Sequence, residues 1–200
     1  MTSPYKDQPE DKWYEITEEL ITKHPLTKND IIDAVLEAWE GIMETSIAGK
    51  LKIGVDIFPT PQILGNYLHE LIPIILEKKY PGLWTRDSNK KDKDLVYVKD
   101  PYFSCEIKTS SNKNNIYGNA SYGQEDSASS TSKSKDGYYI AINFEKFDSS
   151  NPTFKPRIRK IRFGWLDHTD WHSQGASSGQ QSSIRPNVRD NKLKLIYCVD

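Results

Sequence analysis

Two acids and an amine stand close together between residues 94 and 108: Asp94, Glu106 and Lys108. Two carboxylates can hold one hard divalent cation such as Mg²⁺, which takes one or two carboxylates together with water and phosphate oxygens. An amine beside such an ion could orient or deprotonate an attacking water. Leu95 to Val98 and Phe103 to Ile107 are rich in β-branched and aromatic residues, and Asp100-Pro101 between them is turn chemistry, so the stretch reads as a β-hairpin. Side chains alternate along the second strand. Phe103, Cys105 and Ile107 therefore face a core, while Ser104, Glu106 and Lys108 face the other way. Pairing Asp94 with Glu106 or with Lys108 puts all three charged groups on that polar face.

Asp94, eleven intervening residues and then Glu106-Ile107-Lys108 resemble the PD-(D/E)xK nuclease motif, with Lys93 where that family often has proline. The surrounding residues, Phe103 to Ser111 and then Ile116 to Tyr122, resemble the ScaI-like group of type II restriction endonucleases over roughly residues 60 to 145. This resemblance implies a Mg²⁺-dependent enzyme that hydrolyses phosphodiesters of double-stranded DNA at a short palindrome. In it Asp94 and Glu106 hold the metal, and Lys108 serves the attacking water. The class commonly brings a further acid from the helix before the metal strands, which selects Glu70 over its neighbour His69. A homodimer matched to a two-fold DNA site, blunt ends and a cognate DNA methyltransferase acting on the same sequence are further implications. Two other readings stay open: a related nuclease of repair or junction resolution, and a non-catalytic DNA-binding domain in which Glu106 and Lys108 form an ion pair.

Composition sets bounds on these readings. Two hundred residues suit one domain, with a helical part at about 10–80 and a catalytic sheet at about 94–200. The net charge of −1 supplies no overall positive field, so a DNA surface must be a local concentration of Lys and Arg. Cys105 and Cys198 read as buried free thiols in a reducing compartment. Without an apolar signal core or membrane span, a soluble cytoplasmic protein is expected.

The apolar spacing predicts helices over residues 13–23, about 28–48 with Asn29 as its cap, and 62–79, where Pro73 should kink the helix or end it. Strands follow at the hairpin, at 138–144 as a central buried strand, at 156–165 and at 193–199. The fold class is α/β or α+β, a mixed five-stranded sheet flanked by helices in the manner of the PD-(D/E)xK core.

Several segments suit DNA contact. Residues 116–123, with Asn119 and Tyr122, read as a bent glycine-rich loop beside a ligand. A serine-rich segment at 127–135 carries Lys133. The strand at 156–165 concentrates positive charge in Arg157, Arg159 and Arg162. A polar loop at 173–183 with Gln180 and Gln181, followed by Arg185 and Arg189, has side chains suited to base edges. His168 and His172 are spaced like zinc ligands, but their surroundings read as a loop and no cysteine pair completes a site.

Overall fold

The computed structural model describes residues 2–123, 133–148, 150–151, 153–173 and 181–199. Its helical half contains α1 (Trp13–Lys23), α2 (Lys28–Glu44) and α3 (Pro61–Lys79), with a short hairpin of β1 (Ser46–Ile47) and β2 (Leu51–Lys52) between α2 and α3. Next come β3 (Trp84–Arg86), β4 (Leu95–Tyr97), β5 (Cys105–Ser110) and β6 (Tyr117–Asn119). The chain then forms β7 (Gly137–Phe144), β8 (Ile158–Leu166), β9 (Trp171–Ser173), β10 (Gln181–Ile184), α4 (Pro186–Lys192) and β11 (Leu193–Cys198).

The main sheet runs in the order β11-β8-β7-β5-β4-β3. Only β5 and β7 are parallel to one another; the other neighbours are antiparallel, which makes the sheet mixed as expected. It has six strands among the described residues rather than five, because Trp84 to Arg86 adds an edge strand against β4. Every residue of β7 is buried. That is the pattern of a strand covered on both faces.

The first face packs on the helices. Ile31, Val35, Ala38 and Ile42 of α2 and Leu64, Leu68, Ile72 and Leu76 of α3 recur at three-and-four spacing and meet Cys105, Ile107, Ile140, Ile142 and Phe163 in one core. Thr27, not Asn29, caps α2: its Oγ1 accepts from the Asp30 amide at 3.1 Å, and Asp30 Oδ2 accepts from the Thr27 amide at 2.9 Å. Such a reciprocal pair satisfies two of the four amides a helix start leaves free. The helix ends at Glu44, and the chain turns at Ala48 and Gly49, both with positive φ. Helix α3 neither ends nor restarts at Pro73 and continues to Lys79.

The second face carries a three-stranded sheet, β6-β10-β9, and α4. Residues 116–123 and 181–184 are therefore sheet and 3-10 turn rather than open loops. Their pairing joins segments far apart in sequence, Asn119 to Gln181 and Ser183 to His172. Gly118 allows a close approach, as its sequence suggests, but the neighbour is Tyr122, whose ring would lie 2.9 Å from an added Cβ. Tyr122, Tyr139, Trp171 and Leu166 form a second small core beneath this layer.

His24 lies inside the first core with both ring nitrogens engaged. Nε2 is 2.9 Å from the Phe103 carbonyl, and Nδ1 accepts from the Leu26 amide at 3.1 Å, which fixes the neutral ring. Burial pushes its pKa down to about 4, against the Phe103 carbonyl bond that favours the cation. Because the folded value lies below the unfolded one, the neutral ring's contribution is complete above pH ~6.5 and is lost as pH falls toward 4. Urea titrations should show this group removing about 3 kcal/mol of stability between pH 7 and 4. The loss should be smaller by that amount in His24→Gln, and equal pH dependence in both proteins would refute the assignment. Of the two cysteines, Cys105 is buried as expected and Cys198 is exposed on the edge strand. Among the described residues no helix is long and apolar enough to cross a membrane.

Candidate active site

Pairing of Leu95 with Cys105 continues to Asp94 opposite Glu106, one of the two registers that bring the charged groups together. Asp94 sits just before β4. Its Oδ2 accepts from the Ile107 amide at 2.8 Å, so the backbone of β5 itself orients the carboxylate. Glu106 and Lys108 are neighbours on one face of β5, with Lys108 Nζ 2.8 Å from Glu106 Oε1. The sequence-predicted triad is thus assembled in one place.

Four more groups complete the cluster. Lys133 Nζ lies 2.8 Å from Asp94 Oδ1 and 2.8 Å from Glu106 Oε2, bridging the two acids. Tyr122 donates to Glu106 Oε1 at 2.7 Å, and its ring lies 4.4 Å from Lys108 Nζ. His69 Nδ1, on α3, is 3.3 Å from Asp94 Oδ2. Lys93 donates to the Ser134 carbonyl at 2.6 Å and stands 5.1 Å over the Tyr139 ring.

Burial alone would raise the pKa of Asp94, but His69, Lys133 and Lys108 reverse that effect and hold the acid well below the ordinary carboxylate range. Glu106 follows the same logic: desolvation raises it, Lys108 pulls it down, Asp94 opposes, and the net direction is downward. Both acids are therefore carboxylates at neutral pH. Lys93 is pushed down to about 8 by burial, with Glu106 favouring its charge and Lys133 and Lys108 opposing it. Lys133 moves the other way, because the two carboxylates outweigh its desolvation.

This donor set fits a hard divalent cation. Two carboxylate oxygens converge on one point now held by an ammonium, and Glu106 Oε2 meets that ammonium without a well-directed hydrogen bond. Oxygen ligands of this kind suit Mg²⁺ better than soft metals.

Other expected site residues fall elsewhere. Glu70 is exposed one position beyond His69, so the histidine is the contact that α3 makes with Asp94. Tyr122 is buried against Trp171 with ring centroids 4.9 Å apart, and it supports Glu106 instead of facing DNA. Lys133 likewise points into the acids. The strand basic groups each have a partner within the protein, but only Arg162 is buried. Arg157 Nε and Arg159 Nε lie 3.4 and 3.5 Å from the Glu145 carboxylate, and Arg162 is 4% exposed and donates to Asn143 Oδ1 at 2.9 Å. Arg162 therefore cannot serve as a DNA contact in this fold, whereas Arg157 and Arg159 share the single Glu145 carboxylate, and the Arg157 side chain stays 55% exposed. Arg189 is paired in both its Nε and Nη2 with Asp190 at 2.7 Å. Arg185 is exposed and donates to His172 Nε2 at 2.9 Å. Asn119 and Gln181 are exposed opposite each other on β6 and β10. Gln180, and residues 127–132 of the serine-rich segment, lie outside the described residues.

Lys93 and His69 belong to the site although the motif assigns chemistry to neither. Lys93 adjoins Asp94, and His69 lies one helical turn beyond Gly65. An added Cβ on Gly65 would lie 2.6 Å from Thr109 Oγ1, so the glycine lets α3 press directly on β5 beside Lys108.

A mixed sheet with a carboxylate pair and a lysine on adjoining strands is the arrangement of a nuclease of the restriction endonuclease class. A family model described as ScaI restriction endonuclease matches residues 3–197, and the chain belongs to that family. A type II restriction enzyme ScaI of Streptomyces caespitosus is 46% identical over 195 residues, covering 98% of this chain and 85% of the relative. The family match extends the sequence resemblance to both ends of the described chain, and the function class is that of a type II restriction endonuclease.

Proposed function

We propose that the chain, acting as a homodimer in the cytoplasm, hydrolyses phosphodiester bonds of double-stranded DNA within a short palindrome and requires Mg²⁺. The observation that carries this reading is the convergence of Asp94 Oδ1 and Glu106 Oε2 on one point, each 2.8 Å from it, beside Lys108. Asp94 and Glu106 would hold the ion, and the Lys133 ammonium between them would be displaced. When bound, the ion supplies Lewis-acid stabilisation of charge on the scissile phosphate and lowers the pKa of water. Lys108 is the group placed to orient the attacking water, with Glu106 steering its ammonium and the Tyr122 ring beneath it. Lys93 and Lys133 add positive charge where a phosphate must come, against an overall net charge of −1. His69 and the Ile107 amide keep Asp94 aimed.

A homodimer follows from the match between two-fold protein symmetry and a palindromic site. A methyltransferase of the same specificity would protect the host DNA. Digestion of plasmid DNA with and without Mg²⁺ tests the proposal: discrete fragments that appear only with the metal are expected. Random degradation, preference for branched substrates or full activity in a chelator would overturn it.

A further inference from the structure

A polar groove of about 770 Å³ opens next to the cluster of acids and lysines, at the far end of β5. Gln62 and Asn66 of α3 form one wall, Ser110 and Asn112 after β5 form the floor, and Asn119 and Gln181 of the second sheet form the other wall. Among the described residues that line it, none is acidic. Gln62, Asn66 and Gln181 are exposed, and their side chains have no hydrogen-bond partner among the described residues. Antiparallel pairing of Gln181 with Asn119 places a second amide beside the first.

Residues 62, 66 and 69 are spaced i, i+4 and i+7, so Gln62, Asn66 and His69 lie along one face of α3. His69 is the end of that row, and it touches Asp94. At 1.5 Å per residue, Asn66 lies about 5 Å and Gln62 about 10 Å along the helix from His69. A DNA strand advances 3.4 Å per base, so the row spans about one to three base-pair steps from the metal acids. Carboxamides supply both a donor and an acceptor, the pair that adenine presents in the major groove.

We infer that this groove reads base edges and that Gln62 and Asn66, with Gln181 opposite, determine specificity at the one to three base pairs adjoining the scissile bond. The inference rests on the nuclease reading above and adds which residues read the sequence and where. A helix that reaches both the bases and Asp94 would couple recognition to the metal site, because a mismatch that shifts α3 also shifts His69.

Once digestion has revealed the cognate sequence, the full chain and its Asn66→Ala, Gln62→Ala and Asn66→Asp variants can be compared on that duplex, on duplexes with single base pairs changed, and on random DNA. Each alanine variant should bind and cleave the cognate duplex roughly 10- to 100-fold less well, with discrimination lost at one or two positions within three steps of the cut and random-duplex binding unchanged. The exposed positions predict unaltered melting. Asn66→Asp keeps the shape and removes the donor, so it should transfer preference at that position toward cytosine, whose amino group a carboxylate accepts from. Equal losses on cognate and random duplexes, or discrimination unchanged at every position near the cut, would overturn the inference while leaving the nuclease assignment standing. Absence of discrete cutting by the unmodified protein would remove both.

Discussion

Replacing Glu106 by glutamine is expected to lower DNA cleavage by roughly a thousandfold or more while the protein still unfolds as a cooperative unit. The carboxylate is 3% exposed and receives Lys108, Lys133 and Tyr122, so its position is fixed from three sides. Glutamine keeps the shape and the contact with Tyr122 but gives up the charge that a divalent ion needs. Loss of Lewis-acid stabilisation worth several kcal/mol corresponds to about three powers of ten in rate. The structural cost is smaller, because the Lys108 and Lys133 side chains, 12% and 21% exposed, stand at the rim and can turn toward water. Cleavage of supercoiled plasmid under saturating Mg²⁺, read beside thermal melting, separates the two effects. Activity within tenfold of the unmodified protein would remove Glu106 from the metal site. A loss of cooperative melting would instead assign it to the core.

The triad was legible because its logic is local. Alternation along residues 103–108 separates Cys105 and Ile107 from Glu106 and Lys108 without any knowledge of the fold, and a turn at Asp100-Pro101 brings Asp94 across. The three long helices were legible for a similar reason, since an apolar row at helical spacing must be buried. What sequence patterns do not display is pairing between distant segments. Strands of three or four residues such as β6, β9 and β10 carry too little alternation to be distinguished from polar loops, and their hydrogen-bond partners come from the far end of the chain. Glu70 and His69 differ by one residue, about 100° around α3, and only the packing of Gly65 on Thr109 decides which of them meets Asp94.

The basic strand is less free than its run of charge suggests, for another reason. Arg157, Arg159, Lys160 and Arg162 form a run of charge, yet each has a partner inside the protein. Glu145 takes Arg157 and Arg159, Asn114 takes Lys160 at 2.5 Å, and Asn143 takes Arg162. The hairpin of β7 and β8 explains this: Asn143 and Phe144 pair with Lys160 and Ile158, which leaves Glu145 beside Arg157 just beyond the ladder. A charge count alone cannot see that register. The recognition sequence is hidden for the same reason, since base readout depends on how side chains from distant segments stand relative to one another.

Replacing Lys192 by methionine is expected to destabilise the protein by about 3–5 kcal/mol, the cost of leaving buried carboxylates without their cation. Lys192 is 3% exposed, and its ammonium lies 3.0 Å from Asp167 Oδ2 and 2.9 and 3.0 Å from the two Asp170 oxygens. The Tyr5 and Trp13 rings stand 4.3 and 4.4 Å from the same nitrogen, closing the pocket with apolar surface. Methionine fills the volume, so the penalty is electrostatic rather than a cavity. Asp167 also accepts from Ser3 Oγ at 2.8 Å and from Trp165 Nε1 at 3.0 Å, which ties the N-terminal segment and β8 to the same acid. Asp170 caps the turn that leads into β9, where Trp171 pairs with Ile184 of β10, and Gln181 stands at the start of that strand. The local loss should therefore be felt at the second sheet, and specific DNA binding should fall together with stability. Urea denaturation at pH 7 measures the first, and the triple variant Asp167→Asn, Asp170→Asn, Lys192→Met should recover part of it by removing the stranded charges. A change below about 1 kcal/mol in the single variant would mean that water reaches the two acids and screens them as a surface pair would be screened.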